Sequence, residues 1–226
     1  MHLTLTDHLT CPRCGPSAGL ILMMEQATER RVVAGSLGCP RCRTRYPIER
    51  KVADLRTAEP RAGREAGGGR PGGDAPAGAT GREEPELALR VAALLGLSEG
   101  RGFLLVDGPR GLEVARGLHA LLRDYEVVVP IGEADAETAS EAELSAILDS
   151  GPLPITGRAM RAVAWVGPVP DEARLHELVR VCRPTGRIVV ETGDAGQGLD
   201  GVAAVLTASG AEVRARDATG LVAAVL

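Results

Sequence analysis

The chain carries the tetrapeptide Cys-Pro-Arg-Cys twice, at Cys11–Cys14 and Cys39–Cys42. A Cys-x-x-Cys knuckle presents two thiolates on one tight turn, and two facing knuckles supply the four soft ligands of a closed tetrahedral zinc site. The spacer from Cys14 to Cys39 suits a hairpin that brings the knuckles together. The spacing therefore predicts a structural zinc ribbon with Cys11, Cys14, Cys39 and Cys42 as the metal ligands. Four thiolates leave no open coordination position, so such a metal holds a fold and performs no chemistry. Two disulfides, or two redox Cys-x-x-Cys sites, are the alternatives. A redox site wants a strand running into a helix after its first cysteine, which Pro12 followed by Gly15-Pro16 disfavours. His8 is a spare ligand, read as a surface histidine beside a complete set of thiolates.

Charge is uneven along the chain. Residues 1–56 hold nine Lys/Arg against five Asp/Glu, or +4, and residues 86–226 hold thirteen against twenty, or −7. The net charge of −4 carries no global signal for nucleic acid, whereas a basic ribbon and an acidic body can attract each other. Aromatic residues make up 2% of the chain, so any core is built from Leu, Val, Ile and Ala. With no long apolar run no membrane partner is expected, and with no signal-peptide pattern and four free thiolates the expected setting is the reducing cytoplasm.

Residues 57–85 contain no Leu, Ile, Val, Met or aromatic side chain, and eight of the 29 are glycine. Such a stretch cannot bury enough apolar surface to offset its ordering entropy, and reads as a flexible linker. It separates a ribbon (1–56) from a second domain (86–226). In the ribbon, 19–24 and 31–34 read as a hairpin, with short extended pieces at 45–48 and 52–55. Beyond the linker, strands are predicted at 102–107, 125–130, 162–166 and 186–191. Helices are predicted at 85–97, 112–122, 136–148, 170–183 and 199–209, with a closing hairpin over 211–216 and 221–226. Alternation of this kind predicts an α/β fold: a Rossmann-like, mostly parallel sheet with an antiparallel C-terminal hairpin, preceded by a small β zinc ribbon.

Two resemblances follow from these motifs. Leu9-Thr-Cys-Pro-Arg-Cys14, Gly38-Cys-Pro-Arg-Cys42 and Tyr46-Pro47-Ile48 ahead of 52–55 resemble the short zinc-ribbon activator subunit of tRNA and release-factor methyltransferases. Residues 86–226 are similar to a class I S-adenosylmethionine-dependent methyltransferase. The helix, turn and strand over 175–191, with Arg-Val-Cys-Arg-Pro-Thr-Gly in its centre, carry that likeness, and so does Asp149 followed by Leu153-Pro154-Ile155. The resemblance implies S-adenosylmethionine as cofactor, with Asp149 on its adenine side.

The cofactor loop departs from the family pattern. After the first strand the family has an acid and three alternating glycines, because backbone must touch the cofactor closely. This chain reads Leu105-Val-Asp107-Gly108-Pro109-Arg110-Gly111. Gly111 keeps the last glycine, Pro109 replaces the middle one, Asp107 the first, and Leu105 stands where the acid belongs. The ribose-binding acid is missing or displaced to Glu133. Gly108, Gly111, Glu133 and Asp149 are thus the candidate cofactor-binding residues, and a plain strand-to-helix turn is the alternative for Gly108–Gly111. No catalytic constellation is visible, since Trp165-Val-Gly-Pro-Val-Pro170 stands where the family's catalytic motif would be. Cys182, His119 and His176 read as structural residues. Two functions remain. The first is a protein-binding or regulatory module, a pseudoenzyme with a degenerate cofactor site. The second is an active methyltransferase of unknown substrate with a cis-fused activator ribbon. In either case the ribbon is expected to dock on the second domain, in cis or exchanged within a dimer, at the short third-strand edge near 145–155, and a methyltransferase is the protein partner the resemblance suggests.

Overall fold

In a computed structural model, residues 1–57, 84–97, 100–149, 151–193 and 198–226 are described. Most of the expected linker, residues 58–83, lies outside them, as does Ser150. In chain order the strands and helices are β1 (Ile21–Thr28), β2 (Arg31–Gly38), β3 (Arg45–Glu49), β4 (Val52–Asp54), α1 (Glu84–Leu95), β5 (Gly102–Asp107), α2 (Gly111–Leu121) and β6 (Tyr125–Ile131). Then come α3 (Ala136–Glu141), β7 (Ser145–Leu148), β8 (Met160–Val166), α4 (Glu172–Val181), β9 (Cys182–Glu191), α5 (Leu199–Ala208), β10 (Ala211–Arg216) and β11 (Gly220–Val225). A 3-10 helix over Leu3–His8 precedes them. Among the described residues no helix is long and apolar enough to cross a membrane.

By contact the chain divides into two compact units, Met1–Gly78 with Ile131–Thr156, and Ala79–Pro130 with Gly157–Leu226. The first is a sheet in the order β1-β2-β3-β4-β7. β1 to β4 form an antiparallel meander, and β4 then pairs in parallel with β7 through Val52↔Ala146, Ala53↔Ile147 and Asp54↔Leu148. The Leu55 N–H extends this ladder to the Leu148 carbonyl at 2.9 Å. Nearby, Leu9 bridges Ile155, the Thr10 N–H donates to the Pro154 carbonyl at 2.9 Å, and the Thr156 N–H and hydroxyl both donate to the His8 carbonyl at 2.8 Å. Leu5, Leu9, Leu37, Ile48, Leu55, Leu144 and Ile147 close a core around these contacts. Seven such fully buried aliphatic side chains, each contributing about 1.5–3 kcal/mol on burial, hold the ribbon strands and residues 144–156 together.

The second unit is the α/β layer. β6, β5, β8 and β9 run parallel in that order, and β11 and β10 complete the sheet antiparallel. The expected mixed fold, mostly parallel with an antiparallel C-terminal hairpin, is therefore present. Its central strands are continuous apolar runs, Leu104-Leu105-Val106, Val127-Val128-Val129 and Ile188-Val189-Val190, all fully buried. That is the pattern of strands covered on both faces. β5 has β6 on one side and β8 on the other, which makes its carboxyl end the topological switch point, the usual ligand crevice of such sheets.

Two predicted helices are shorter than the pattern suggested. The helix expected over 136–148 stops at Glu141, and Ser145–Leu148 forms β7. The helix expected over 170–183 stops at Val181, capped at its start by the Asp171 side chain, and Cys182 opens β9. Cys182 is buried as expected, on the strand rather than a helix face, and burial pushes its thiol up to about 12.

Candidate metal centre and cofactor turn

The two knuckles fold alike. In each, the fourth residue after the first cysteine donates its N–H back to that cysteine's carbonyl, Gly15 to Cys11 and Arg43 to Cys39, both at 2.9 Å. The β2–β3 hairpin carries the second knuckle at its end, and the Cys11 N–H is fixed to the Ala18 carbonyl at 2.7 Å. The four sulfurs all lie within 4.8 Å of one another. Cys11 Sγ is 3.6 Å from Cys42 Sγ, and Cys39 Sγ is 3.9 Å from Cys14 Sγ. Neither distance is a disulfide, and all five cysteines are free. A zinc ion bound to four sulfurs at about 2.3 Å sets a tetrahedron with edges of about 3.8 Å. The cross-knuckle distances bracket that edge, so the donor set fits a closed tetrathiolate zinc site.

Two hydroxyls support the sulfurs. Tyr46, fully buried in β3, has its hydroxyl 3.4 Å from Cys11 Sγ, and Thr44 Oγ1 lies 3.3 Å from Cys42 Sγ. The Thr44 contacts pull the Cys42 thiol down to about 6, whereas desolvation and the neighbouring thiols push Cys14 up to about 12. His8 is not part of the cluster.

The candidate cofactor residues divide between the units: Gly108 and Gly111 in the second, Glu133 and Asp149 in the first. Glu133 is held by Arg56, whose Nη1 lies 2.9 Å from its carboxylate while Nη2 reaches Asp54 at 2.6 Å. These three line a cleft of about 380 Å³ with Glu49, Arg50 and Glu137. Burial pushes Asp54 up, but the Arg56 contacts outweigh it and hold the carboxyl below its usual range. Asp149, half-buried, directly follows Leu148 at the end of the β4–β7 ladder.

At the switch point the β5–α2 turn is closed on itself. The Gly108 N–H donates to Asp107 Oδ1 at 2.7 Å, Pro109 has no N–H, the Arg110 N–H donates to the Val166 carbonyl at 3.2 Å, and the Gly111 N–H returns to the Gly108 carbonyl at 2.9 Å. Every donor from Gly108 to Gly111 is thereby used internally. Gly108 adopts φ +101°, and a Cβ there would sit 2.3 Å from the Val166 carbonyl oxygen. The turn thus lies against the tip of β8, and the Pro109 ring packs on Gly167. Above it, Asp107 is fully buried and its Oδ2 is 2.5 Å from Arg174 Nε, an arginine from α4 that is itself 13% exposed. This pair was not expected from the sequence. Its only sequence signal is an acid where the family has glycine, together with an arginine in the first turn of α4. Trp165, also at the end of β8, donates its indole N–H to the Pro168 carbonyl at 2.7 Å, so it is tied down as a structural residue.

No family model and no curated protein matches this chain. Among solved structures it is similar to the [4+2]-cyclase SpnF, with 20% identity, a TM-score of 0.47, and 59% of each chain covered. It is similar also to a complex between the Haloferax volcanii Trm112 methyltransferase activator and a methyltransferase, with 15% identity, a TM-score of 0.47, and 61% of this chain and 73% of that one covered. A third is Haemonchus contortus phosphoethanolamine N-methyltransferase 2 in complex with S-adenosyl-L-methionine, with 11% identity, a TM-score of 0.49, and 57% and 37% covered.

Proposed function

We propose that this chain is a zinc ribbon fused to a methyltransferase-like domain that has lost its cofactor site, and that it acts as a protein-binding or regulatory module. The closed β5–α2 turn carries this reading. A cofactor whose tail ends in a carboxylate needs free backbone donors at a Rossmann turn. Here Pro109 removes one donor, three acceptors within the protein take the others, and the Asp107–Arg174 pair occupies the carboxyl end of β5. The residues present do not fit S-adenosylmethionine at this turn, so no methyl-transfer step is derived.

In this reading the ribbon covers a strand edge in cis, in the manner of the activator subunit it resembles. In support, β4 adds to β7 by strand pairing, and Leu9, Thr10 and His8 engage residues 154–156. Strand addition of this kind removes an open sheet edge that would otherwise recruit other chains. Cys11, Cys14, Cys39 and Cys42 would hold one zinc, which when bound supplies a crosslink and no reactivity. The partner in this reading is a protein, and the setting a reducing compartment such as the cytoplasm, where the thiolates stay free.

Titration with S-adenosylmethionine tests the reading. Calorimetry should detect no binding, and melting should not shift. Saturation at a hundredfold excess would instead stabilise the fold by about 2.7 kcal/mol. A dissociation constant tighter than about 10 μM, or roughly 7 kcal/mol, would replace this reading with the active methyltransferase, and Asp149→Ala should then weaken that binding.

A further inference from the structure

The two knuckles differ at one position. Gly15 and Arg43 occupy the same place in the motif, and both adopt left-handed backbone, with φ +84° and +58°. Glycine takes that conformation freely, whereas a side chain there is strained. The first knuckle uses glycine and the second keeps an arginine against the backbone preference. Left-handed basic residues also sit at Arg30, Arg50 and Lys51 in the hairpin turns and at Arg158 in the second unit, but none of these has a glycine counterpart in a repeated motif for comparison. Retained strain of this kind points from structure to function.

Arg43 stands in a cluster. Arg13 and Arg41 are the third residues of the two knuckles, which the sulfur cluster brings together, and Arg45 follows at the start of β3. Arg13 Nη1 reaches Thr44 Oγ1 at 3.2 Å, which ties the first knuckle's arginine to the segment between Arg43 and Arg45. All four are exposed, and among the described residues no carboxylate pairs with any of them. A zinc tetrathiolate carries a charge of −2, so four arginines leave the tip at +2 after the metal centre is neutralised. Charge compensation of the metal therefore accounts for half of the cluster. A guanidinium matches a phosphate bidentately.

We propose that Arg13, Arg41, Arg43 and Arg45 at the knuckle tip bind the phosphodiester backbone of a nucleic acid. The contacts are to phosphates, so recognition is independent of base sequence. The local charge of the tip, and not the net charge of the chain, drives the interaction. This goes beyond the proposed function and holds whether or not the second unit takes a cofactor.

The test is fluorescence anisotropy of a labelled oligouridylate with the full-length, zinc-loaded chain across a salt series. Four phosphate contacts at roughly 0.7 each predict a slope of log affinity against log salt of about −3. Arg43→Gly suits the left-handed backbone and so keeps the fold. It should leave zinc stoichiometry unchanged, melt at the same temperature or higher, and make the slope shallower by about 0.7. Combined Arg13→Gln, Arg41→Gln and Arg45→Gln should flatten the slope to about −0.7, the share left to Arg43. The proposal is overturned if the oligouridylate does not bind at low salt, or if Arg43→Gly binds like the parent. Loss of zinc from Arg43→Gly would overturn it too, by assigning the arginine to the metal. So would polyglutamate binding as tightly as the RNA, which would make an acidic protein surface the partner.

Discussion

Arg174→Met should be among the most damaging single substitutions in the second unit. Asp107 is fully buried at the end of β5, where the Gly108 N–H donates to its Oδ1 and Arg174 pairs with its Oδ2. Methionine keeps much of the apolar stem of arginine but removes the guanidinium that faces this buried carboxylate. Breaking one side of a buried pair costs about 3–5 kcal/mol. For a protein of this size each kcal/mol moves the midpoint by about 2–4 °C, so a loss of roughly 6–20 °C is expected. Trp165 gives a clean assay, because it is the sole tryptophan, lies in the second unit and pairs in register with Asp107. Its fluorescence during urea unfolding reports that unit alone. Replacing both partners, Asp107→Leu with Arg174→Met, should recover much of the loss, because a buried pair exchanged for apolar groups is often neutral. A loss below about 1 kcal/mol for Arg174→Met, the range of a solvated surface pair, would refute a dry, closed switch point.

Other substitutions probe separate links. Gly108→Ala should cost about 2–4 kcal/mol by the same fluorescence, since left-handed strain and a clash with the Val166 carbonyl add. Purified protein should carry one zinc, and Cys39→Ser should lose it together with the ribbon's fold, read by metal analysis and circular dichroism. Tyr46→Phe removes the hydroxyl beside Cys11 and should speed zinc loss to a chelator while leaving stoichiometry at one. Hydrogen bonds from Arg90, and from the Thr219 and Gly220 N–H groups, hold the Asp217 carboxyl well below its usual range. A depressed folded pKa gives stability that is complete above the unfolded value of about 3.9 and is lost as pH falls through the folded one. Asp217→Asn should therefore flatten the second unit's acid melting profile below about pH 4, by under about 1 kcal/mol because the group is half exposed.

The local rules of the sequence carried most of the α/β layer. Buried parallel strands announce themselves as apolar runs, and 102–107 and 186–191 were read within a few residues of β5 and the end of β9. The knuckle spacing likewise pointed to four sulfurs that the structure brings together. Errors came where a short apolar run fits two periods. Ala146-Ile147-Leu148 continues a helical stripe from α3 as readily as it forms a strand, and only its partner β4, more than ninety residues earlier in the chain, decides between them. The Asp107–Arg174 pair was hidden for the same reason. Each residue looks ordinary in its own segment, and the pairing exists only once α4 crosses the end of β5. Of the candidate cofactor residues, the turn's glycines were legible as glycines, but the fate of their N–H groups depended on the Val166 carbonyl of another strand.

The pairing of β4 with β7 also sets an order of events during synthesis. A ribosome releases β4 long before residues 144–156 exist, so the nascent ribbon emerges with its last strand edge bare and without the Leu144 and Ile147 part of its aliphatic core. Metal capture by the knuckles needs only the first 42 residues and can come early. Completion of the unit must wait for the middle of the chain. Between those two moments the nascent chain is a metal-clipped hairpin with an unsatisfied edge, the species most in need of chaperone cover.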